Sequence, residues 1–167
     1  MIISTQKISL LLPIIFVIHN IDEYLSYSRL VDYYFKFIDP KLKDPKVFLY
    51  AVSILSIVVV LIVWVSYFYC NKITKFLTMI VFFSIFINAI QHCIHSLFFR
   101  KILPGTITSI LLIIPYSIIF IINMKNGSIF EFKDFLLYGI LSVIVMKISI
   151  LLSLKISYWL IKAIKHN

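Results

Sequence analysis

The chain has 167 residues, of which 62% are hydrophobic and 14% are charged, and its formal net charge is +9. A soluble domain is typically about half apolar and about a quarter charged. This composition leaves too little polar sequence to cover a water-soluble globule. It predicts one domain over residues 1–167, built from helices within the lipid bilayer. The basic excess is interpreted as membrane topology, with no nucleic acid partner, because Lys and Arg collect in cytoplasmic loops.

Five apolar runs are each long enough to cross about 30 Å of hydrocarbon as a helix. They cover residues 8–28, 47–70, 73–99, 106–123 and 135–161. Helix is required, because a strand edge in hydrocarbon leaves backbone groups unpaired, and the runs lack the alternation of barrel strands. The predicted fold class is therefore all-α, a polytopic membrane helical bundle of about five transmembrane helices. Pro104-Gly105 is predicted to form a turn before the fourth helix, and Pro115 to kink that helix.

The two cysteines, Cys70 and Cys93, lie at or within apolar runs, which excludes a disulfide framework and a CxxC metal site. The first apolar run, from Ile8 to Ile18, lacks a small-x-small cleavage site and continues into His19. It is therefore expected to be a retained span and not a cleaved signal. The one sizeable predicted loop, residues 29–46, is rich in Tyr, Lys and Asp.

Basic residues divide unequally between the two sides that five spans define. One side holds five of them: Lys7, Lys72, Lys75, Lys125 and Lys133. The other side holds ten: Arg29, Lys36, Lys41, Lys43, Lys46, Arg100, Lys101, Lys155, Lys162 and Lys165. The excess predicts a multi-pass cell-membrane protein with its N-terminus outside and its C-terminus in the cytoplasm.

Two polar stripes interrupt the apolar runs. His19, Asp22 and Glu23 stand at i, i+3 and i+4 and so project from one face of the first helix. Late in the third span, a similar stripe contains Asn88, Gln91, His92 and His95. The two spans run in the same direction, so both stripes are expected at similar depth. An ionisable group at membrane depth costs about 2.5–3.5 kcal/mol, so these side chains are expected to face the interior and pair there.

Carboxylates beside imidazoles suit two kinds of chemistry, proton transfer and the binding of a divalent metal such as zinc or iron. The candidate catalytic residues are His19, Asp22, Glu23, His92 and His95, supported by Asn88, Gln91 and Lys147, and the candidate metal ligands are His19, Glu23, His92 and His95. The spacing fits neither the HExxH nor the ExxH pattern, so it selects no metal.

Structural interpretations of the same residues stay open. His19 lies close to a span end, where polar side chains meet headgroups and water. Asn88, Gln91 and His92 can hold helices together by interhelical hydrogen bonds. Lys147, in the middle of the fifth span, can pair with an acidic group or extend its amine toward the interface.

The stretch His19-Asn20-Ile21-Asp22-Glu23 resembles the signature of the HXXEE-domain family of small bacterial membrane proteins. Asn88-Ala-Ile-Gln-His92 resembles a later segment of that family, and Pro104-Gly105-Thr106 resembles its turn before a Pro-containing span. Asp22 stands where the family motif has Glu. The Asp side chain keeps the negative charge but is shorter, so its carboxylate reaches less far. The resemblance implies a domain of unknown function whose polar motif suggests enzymatic activity.

The leading hypothesis is a membrane-embedded enzyme that acts on a lipid or another apolar small molecule, by acid/base or metal-assisted chemistry. One alternative is a small proton-coupled transporter, because intramembrane His, Asp and Glu also form proton relays. The other is a structural or accessory subunit in which the polar cluster serves helix packing. The cofactor, the substrate and the oligomeric state stay open at this point.

Overall fold

The computed structural model of the chain describes residues 5–33, 39–126 and 132–166. All regular elements within these residues are helical. The α-helices are α1 (Thr5–Ser9), α2 (Leu11–Leu25), α3 (Tyr27–Tyr33), α4 (Pro45–Phe68), α5 (Lys72–Phe99), α6 (Thr106–Thr108), α7 (Ile114–Asn126) and α8 (Phe132–His166). A 3-10 turn (Pro40–Leu42) precedes α4, and a π-helical turn (Ser109–Ile113) joins α6 to α7.

Five helical segments are long and apolar enough to cross a membrane, which confirms the predicted fold class. They are Gln6–Leu25, Pro45–Phe68, Lys72–Phe99, Thr106–Lys125 and Asp134–Ile164. The second and third segments begin where Asp44 and Asn71 cap the helix, since each side chain accepts a hydrogen bond from a backbone N–H of the first turn. These caps explain why both helices begin earlier than hydropathy alone indicates.

The first segment begins and ends closer to the N-terminus than predicted, and it is less regular. It passes from α1 into α2 at Leu10, three residues before Pro13, whose ring nitrogen has no hydrogen to donate to Ser9. It then ends at Leu25 instead of residue 28, and the separate helix α3 follows. The predicted loop at residues 29–46 therefore begins inside a helix, and its residues 34–38, including Lys36, lie outside the described residues.

The fourth segment begins at the predicted turn, because Gly105 is the residue before α6 and has a left-handed φ of 78°. The irregularity expected at Pro115 takes the form of the π-helical turn that ends two residues earlier. Pro115 cannot donate to the carbonyl of Leu111, and a wider turn at this point accommodates the missing bond.

Helix α8 packs against both α4 and α5, and α2 packs against α4 and the π-helical turn. Hydrogen bonds support these contacts, since Asn20 on α2 donates to Ser56 on α4 and Ser142 on α8 donates to the Ile80 carbonyl on α5. The helices thereby bring the C-terminal halves of α2 and α5 together beside the turn at Gly105.

Polar and apolar side chains are distributed in the reverse of the usual soluble pattern. Small hydroxyls such as Ser109, Ser142 and Ser157 are fully buried. Large apolar side chains stand on the outside, including Trp64 at 57% exposed and Leu111 at 67%. An extended apolar surface of this kind is unstable in water and suits contact with hydrocarbon.

Candidate functional site

Helix α2 contributes two buried polar side chains to the interior. His19 is fully buried and Glu23 is 9% exposed. They are one helical turn apart, and His19 Nε2 lies 3.6 Å from Glu23 Oε1. The i and i+4 spacing read from the sequence therefore does place both groups on the inner face of the helix.

Helix α5 brings a second imidazole to the same carboxylate. His92 Nε2 lies 2.8 Å from Glu23 Oε1, and the two imidazole rings are 5.1 Å apart, edge to face. The Asn88 amide nitrogen lies 3.2 Å from His19 Nε2 and 3.1 Å from His92 Nε2. The predicted meeting of the first and third spans is confirmed, and four polar atoms converge on one point. We call His19, Glu23, Asn88 and His92 the polar cluster.

Asp22 approaches the polar cluster indirectly, through Thr108 at the start of the fourth segment. The Thr108 hydroxyl donates to Asp22 Oδ2 at 2.9 Å and lies 2.9 Å from His19 Nδ1. An ionised carboxylate only accepts, so the single hydroxyl proton goes to Asp22 and the Thr108 oxygen accepts from His19 Nδ1–H. This arrangement protonates Nδ1 and directs the Nε2 lone pair of His19 toward Glu23 and Asn88.

Gly105 closes the polar cluster on the side of this turn. A Cβ placed on Gly105 would stand 2.8 Å from His19 Cε1 and 2.9 Å from His92 Cε1, closer than real Cβ contacts. The residue also has a φ of 78°, a conformation that L-residues adopt only at a cost. Position 105 thus needs glycine for two separate reasons, backbone conformation and the space that both rings occupy.

A further set of hydrogen bonds attaches the turn to α5. Ser96 Oγ accepts from the Leu103 backbone N–H at 3.0 Å and is hydrogen-bonded to the Thr106 hydroxyl. Thr106 also donates to the His92 carbonyl at 3.4 Å. The turn that carries Thr108 is therefore fixed relative to the helix that carries His92.

A cavity of about 450 Å³ adjoins the polar cluster between α2, α4, α5 and α8. Glu23, Asn88 and His92 lie in its wall, and most of the remaining wall is aliphatic or aromatic. Several wall residues also face the outside of the bundle, among them Val58 at 43% exposed and Leu151 at 45%. The cavity therefore lies close to the outer apolar surface of the bundle.

The other predicted site residues stand apart from the polar cluster. Gln91 and Lys147 line the cavity, and Lys147 is exposed. Among the described residues, the basic side chains close to the Glu23 carboxylate are His19 and His92, and Lys147 is not among them. His95 is half-buried, with its ring 6.4 Å from that of Phe99.

Three of the four candidate metal ligands come together. Ligand atoms of His19, Glu23 and His92 all lie within 4.8 Å of one another, and within the described residues this group does not include His95. The sequence could not decide between His92 and His95, because both belong to the same polar stripe.

A sequence model for a family described as "Protein of unknown function with HXXEE motif" matches residues 10–120. The chain belongs to this family. No curated protein and no solved structure matches the chain. The matched region of this HXXEE protein contains α2, α5 and the turn, and so all of the polar cluster together with Gly105 and Thr108. It ends before α8, which forms one wall of the cavity.

Two functional positions were not identified as such from the sequence. Thr108 is one of three hydroxyl side chains, with Thr106 and Ser109, at the start of the fourth apolar run, and nothing in this pattern distinguishes it as a hydrogen-bond partner of another helix. Gly105 was expected to form a turn, but its role as the close neighbour of two imidazoles depends on tertiary packing. The one available signal was the position of the Pro104-Gly105 turn at the same membrane depth as the end of the third span.

Proposed function

We propose that this HXXEE protein is a membrane-embedded enzyme, and that its reactive centre is the polar cluster. The observation that supports this most strongly is that both imidazoles lie close to Glu23 Oε1, while Glu23 and His92 also line an apolar cavity. A group that served helix packing alone would need no cavity beside it. The cluster presents a carboxylate and an imidazole, which act as general acid and base or as ligands of a catalytic metal.

The substrate class follows from the shape and lining of the cavity. Its volume of about 450 Å³ lies within the range of about 300–1,000 Å³ for small-molecule sites. Its wall is largely apolar, and Glu23, Asn88 and His92 are among the polar residues that line it. This distribution suits a lipid or another amphiphile whose polar group reaches the cluster while its apolar part lies between α4 and α8.

The same proposal places the chain in the cell membrane, with the N-terminus outside and the C-terminus cytoplasmic. The excess of basic residues in the first and third loops and in the C-terminal segment supports this orientation. Cys70, an exposed thiol between α4 and α5, would then face the outside. In a Cys93→Ser background, a membrane-impermeant maleimide should label Cys70 in intact cells. It should label a Lys101→Cys, Cys70→Ser variant only after lysis, and the reverse pattern would invert the orientation.

The enzyme proposal is tested by comparing lipid extracts from cells that express the parent chain, Glu23→Gln or His92→Asn. The parent should deplete one lipid class and accumulate its product, and both variants should leave that class unchanged. His95→Asn is the matched control, since it alters an imidazole of the same helix outside the polar cluster. The purified parent should carry out the same conversion on the extracted lipid in detergent.

Access through the cavity is tested with a second pair of variants. Leu55 lines the cavity, so Leu55→Trp places a larger side chain in the cavity. Ile57→Trp adds the same ring on the outer face of the same helix. Only Leu55→Trp should reduce conversion. Unchanged lipid composition in cells that express the parent chain, together with pH-dependent flux in proteoliposomes that Glu23→Gln abolishes, would replace the enzyme with a transporter.

A further inference from the structure

We propose that His19, Glu23 and His92 form a binding site for one divalent transition-metal ion, with Asp22 and Thr108 orienting the first of these ligands. The proposal takes its site from the proposed function and adds the cofactor. It makes a separate claim about binding, which a measurement on the purified chain tests without any turnover.

The ligand set and its spacing are those of a metal centre. Zinc is bound by His nitrogens and carboxylate oxygens at about 2.0–2.2 Å, and a tetrahedral arrangement at that length separates neighbouring ligand atoms by about 3.4 Å. The observed separation of His19 Nε2 from Glu23 Oε1 is 3.6 Å, and that of His92 Nε2 from Glu23 Oε1 is 2.8 Å. All three ligand atoms lie within 4.8 Å of one another, so they would reach ligand spacing if the Glu23 carboxylate moved away from His92 and the two imidazoles turned toward a common ion.

The contact between Asp22 and Thr108 supplies independent support. Metal-binding histidines almost always donate their second ring N–H to an acceptor, which fixes the tautomer and the orientation of the ring. His19 does this, because its Nδ1–H is directed to Thr108, whose hydroxyl is in turn directed to the Asp22 carboxylate. The result is a fully buried imidazole whose Nε2 lone pair points at the other two ligands.

Hydrogens of the Asn88 amide and a proton between His92 and Glu23 hold the three ligand atoms together in the absence of a metal. Lone pairs that converge in a buried space repel unless a hydrogen or a positive ion lies between them, so a cation can take the place of these hydrogens. A divalent ion satisfies all three, and its binding would displace the proton that His92 and Glu23 share. Asn88, which lies within 3.2 Å of both Nε2 atoms, can rotate its amide to accommodate the ion.

Three protein ligands leave a fourth tetrahedral position for water or substrate, as in catalytic zinc sites. Glu23 and His92 belong to the cavity wall, whereas the fully buried His19 is not among the wall residues. The fourth position therefore faces the cavity. A metal there would supply Lewis-acid chemistry at the end of the cavity where the polar group of an amphiphile would lie.

The test is elemental analysis and Zn²⁺ titration of the detergent-purified chain after treatment with a chelator, with Co²⁺ as a spectroscopic probe of four-coordination. The parent and His95→Asn should each bind one ion per chain. Glu23→Gln and His92→Asn should lose at least tenfold in affinity. Thr108→Val should lose about 10–100-fold while still reaching one ion per chain at saturation, and Thr108→Ser should restore tight binding.

A variant that keeps the parent's size-exclusion profile and helical content has lost metal binding without losing its fold. No ion in a folded parent, or equal affinity in the parent, Glu23→Gln and His92→Asn, overturns the metal site. Lipid conversion by a metal-free parent would retain the enzyme and discard the metal. Tight binding without any conversion would retain the metal and discard the proposed enzyme.

Discussion

Helix α5 contributes Asn88 and His92 to the polar cluster, and it contributes Phe82 to an aromatic core. Phe82 precedes His92 by ten residues, which is about 15 Å along the helix. There Phe82 and Phe120 are fully buried and stack with ring centroids 4.3 Å apart. Phe83 and Tyr116 surround this pair. The stability of the aromatic core depends on the buried apolar area and on the shape of the packed side chains, and several apolar residues can meet that requirement. The polar cluster depends on which atom faces which, so a change of one atom alters it.

This difference separates two effects of substitution. Changes in the aromatic core should alter the free energy of unfolding and leave the chemistry of the surviving folded molecules intact. Changes in the polar cluster should alter binding and turnover with smaller losses of stability, because its hydrogen bonds contribute little net energy each. The expectations that follow test this separation.

The largest loss of stability is expected for Phe82→Ala. The side chain is fully buried against Phe120, and deletion of a buried phenyl ring costs about 3–5 kcal/mol. The measurement is the free energy of unfolding in a detergent–SDS titration. Phe98→Ala is the control, because Phe98 is on the same helix and 79% exposed. A loss below about 1 kcal/mol for Phe82→Ala would show that the aromatic core does not stabilise the bundle.

Gly105→Ala should have the next largest effect and should impair both stability and site. The left-handed φ costs about 1–2 kcal/mol for an L-residue, and the new methyl displaces the rings of His19 and His92. We expect a loss of about 2–3 kcal/mol together with loss of lipid conversion. Gly139→Ala is the control, since nothing lies within 4 Å of its Cβ position and alanine favours a helix. Similar behaviour of the two variants would contradict the packing described for position 105.

Thr108→Val keeps the shape of the side chain and removes its hydroxyl. The hydrogen bonds to His19 and Asp22 are both lost, so we expect a loss of about 1–2 kcal/mol in the same titration. Thr108→Ser should recover most of this energy, because it restores the hydroxyl without the methyl group. If Thr108→Ser were as unstable as Thr108→Val, methyl packing and not the hydrogen-bonded link would explain the effect.

The parts of this molecule that could be predicted from its sequence are those set by local spacing. Hydropathy indicates five helices because each run depends on its own residues, and the i and i+4 spacing places His19 and Glu23 on one face. The choice of His92 over His95 depends on the rotation of α5 against α2, which the sequence does not specify. Thr108 and Gly105 take their roles from a turn that folds back onto another helix, and contacts of that kind leave no periodic signal.

The sequence left open whether Lys147 pairs with an acidic group, and the smallest effect on stability is expected at this residue. If Lys147 balanced the charge of the buried Glu23 carboxylate, its removal would leave that carboxylate unpaired and would lower the free energy of unfolding by about 3–5 kcal/mol. An exposed lysine in the cavity wall should change the free energy of unfolding by less than about 0.5 kcal/mol. We expect the second result for Lys147→Met, matching Lys155→Met at another exposed lysine of the same helix. A loss above about 2 kcal/mol would instead mean that Lys147 reaches the carboxylate, and the polar cluster would have to include it.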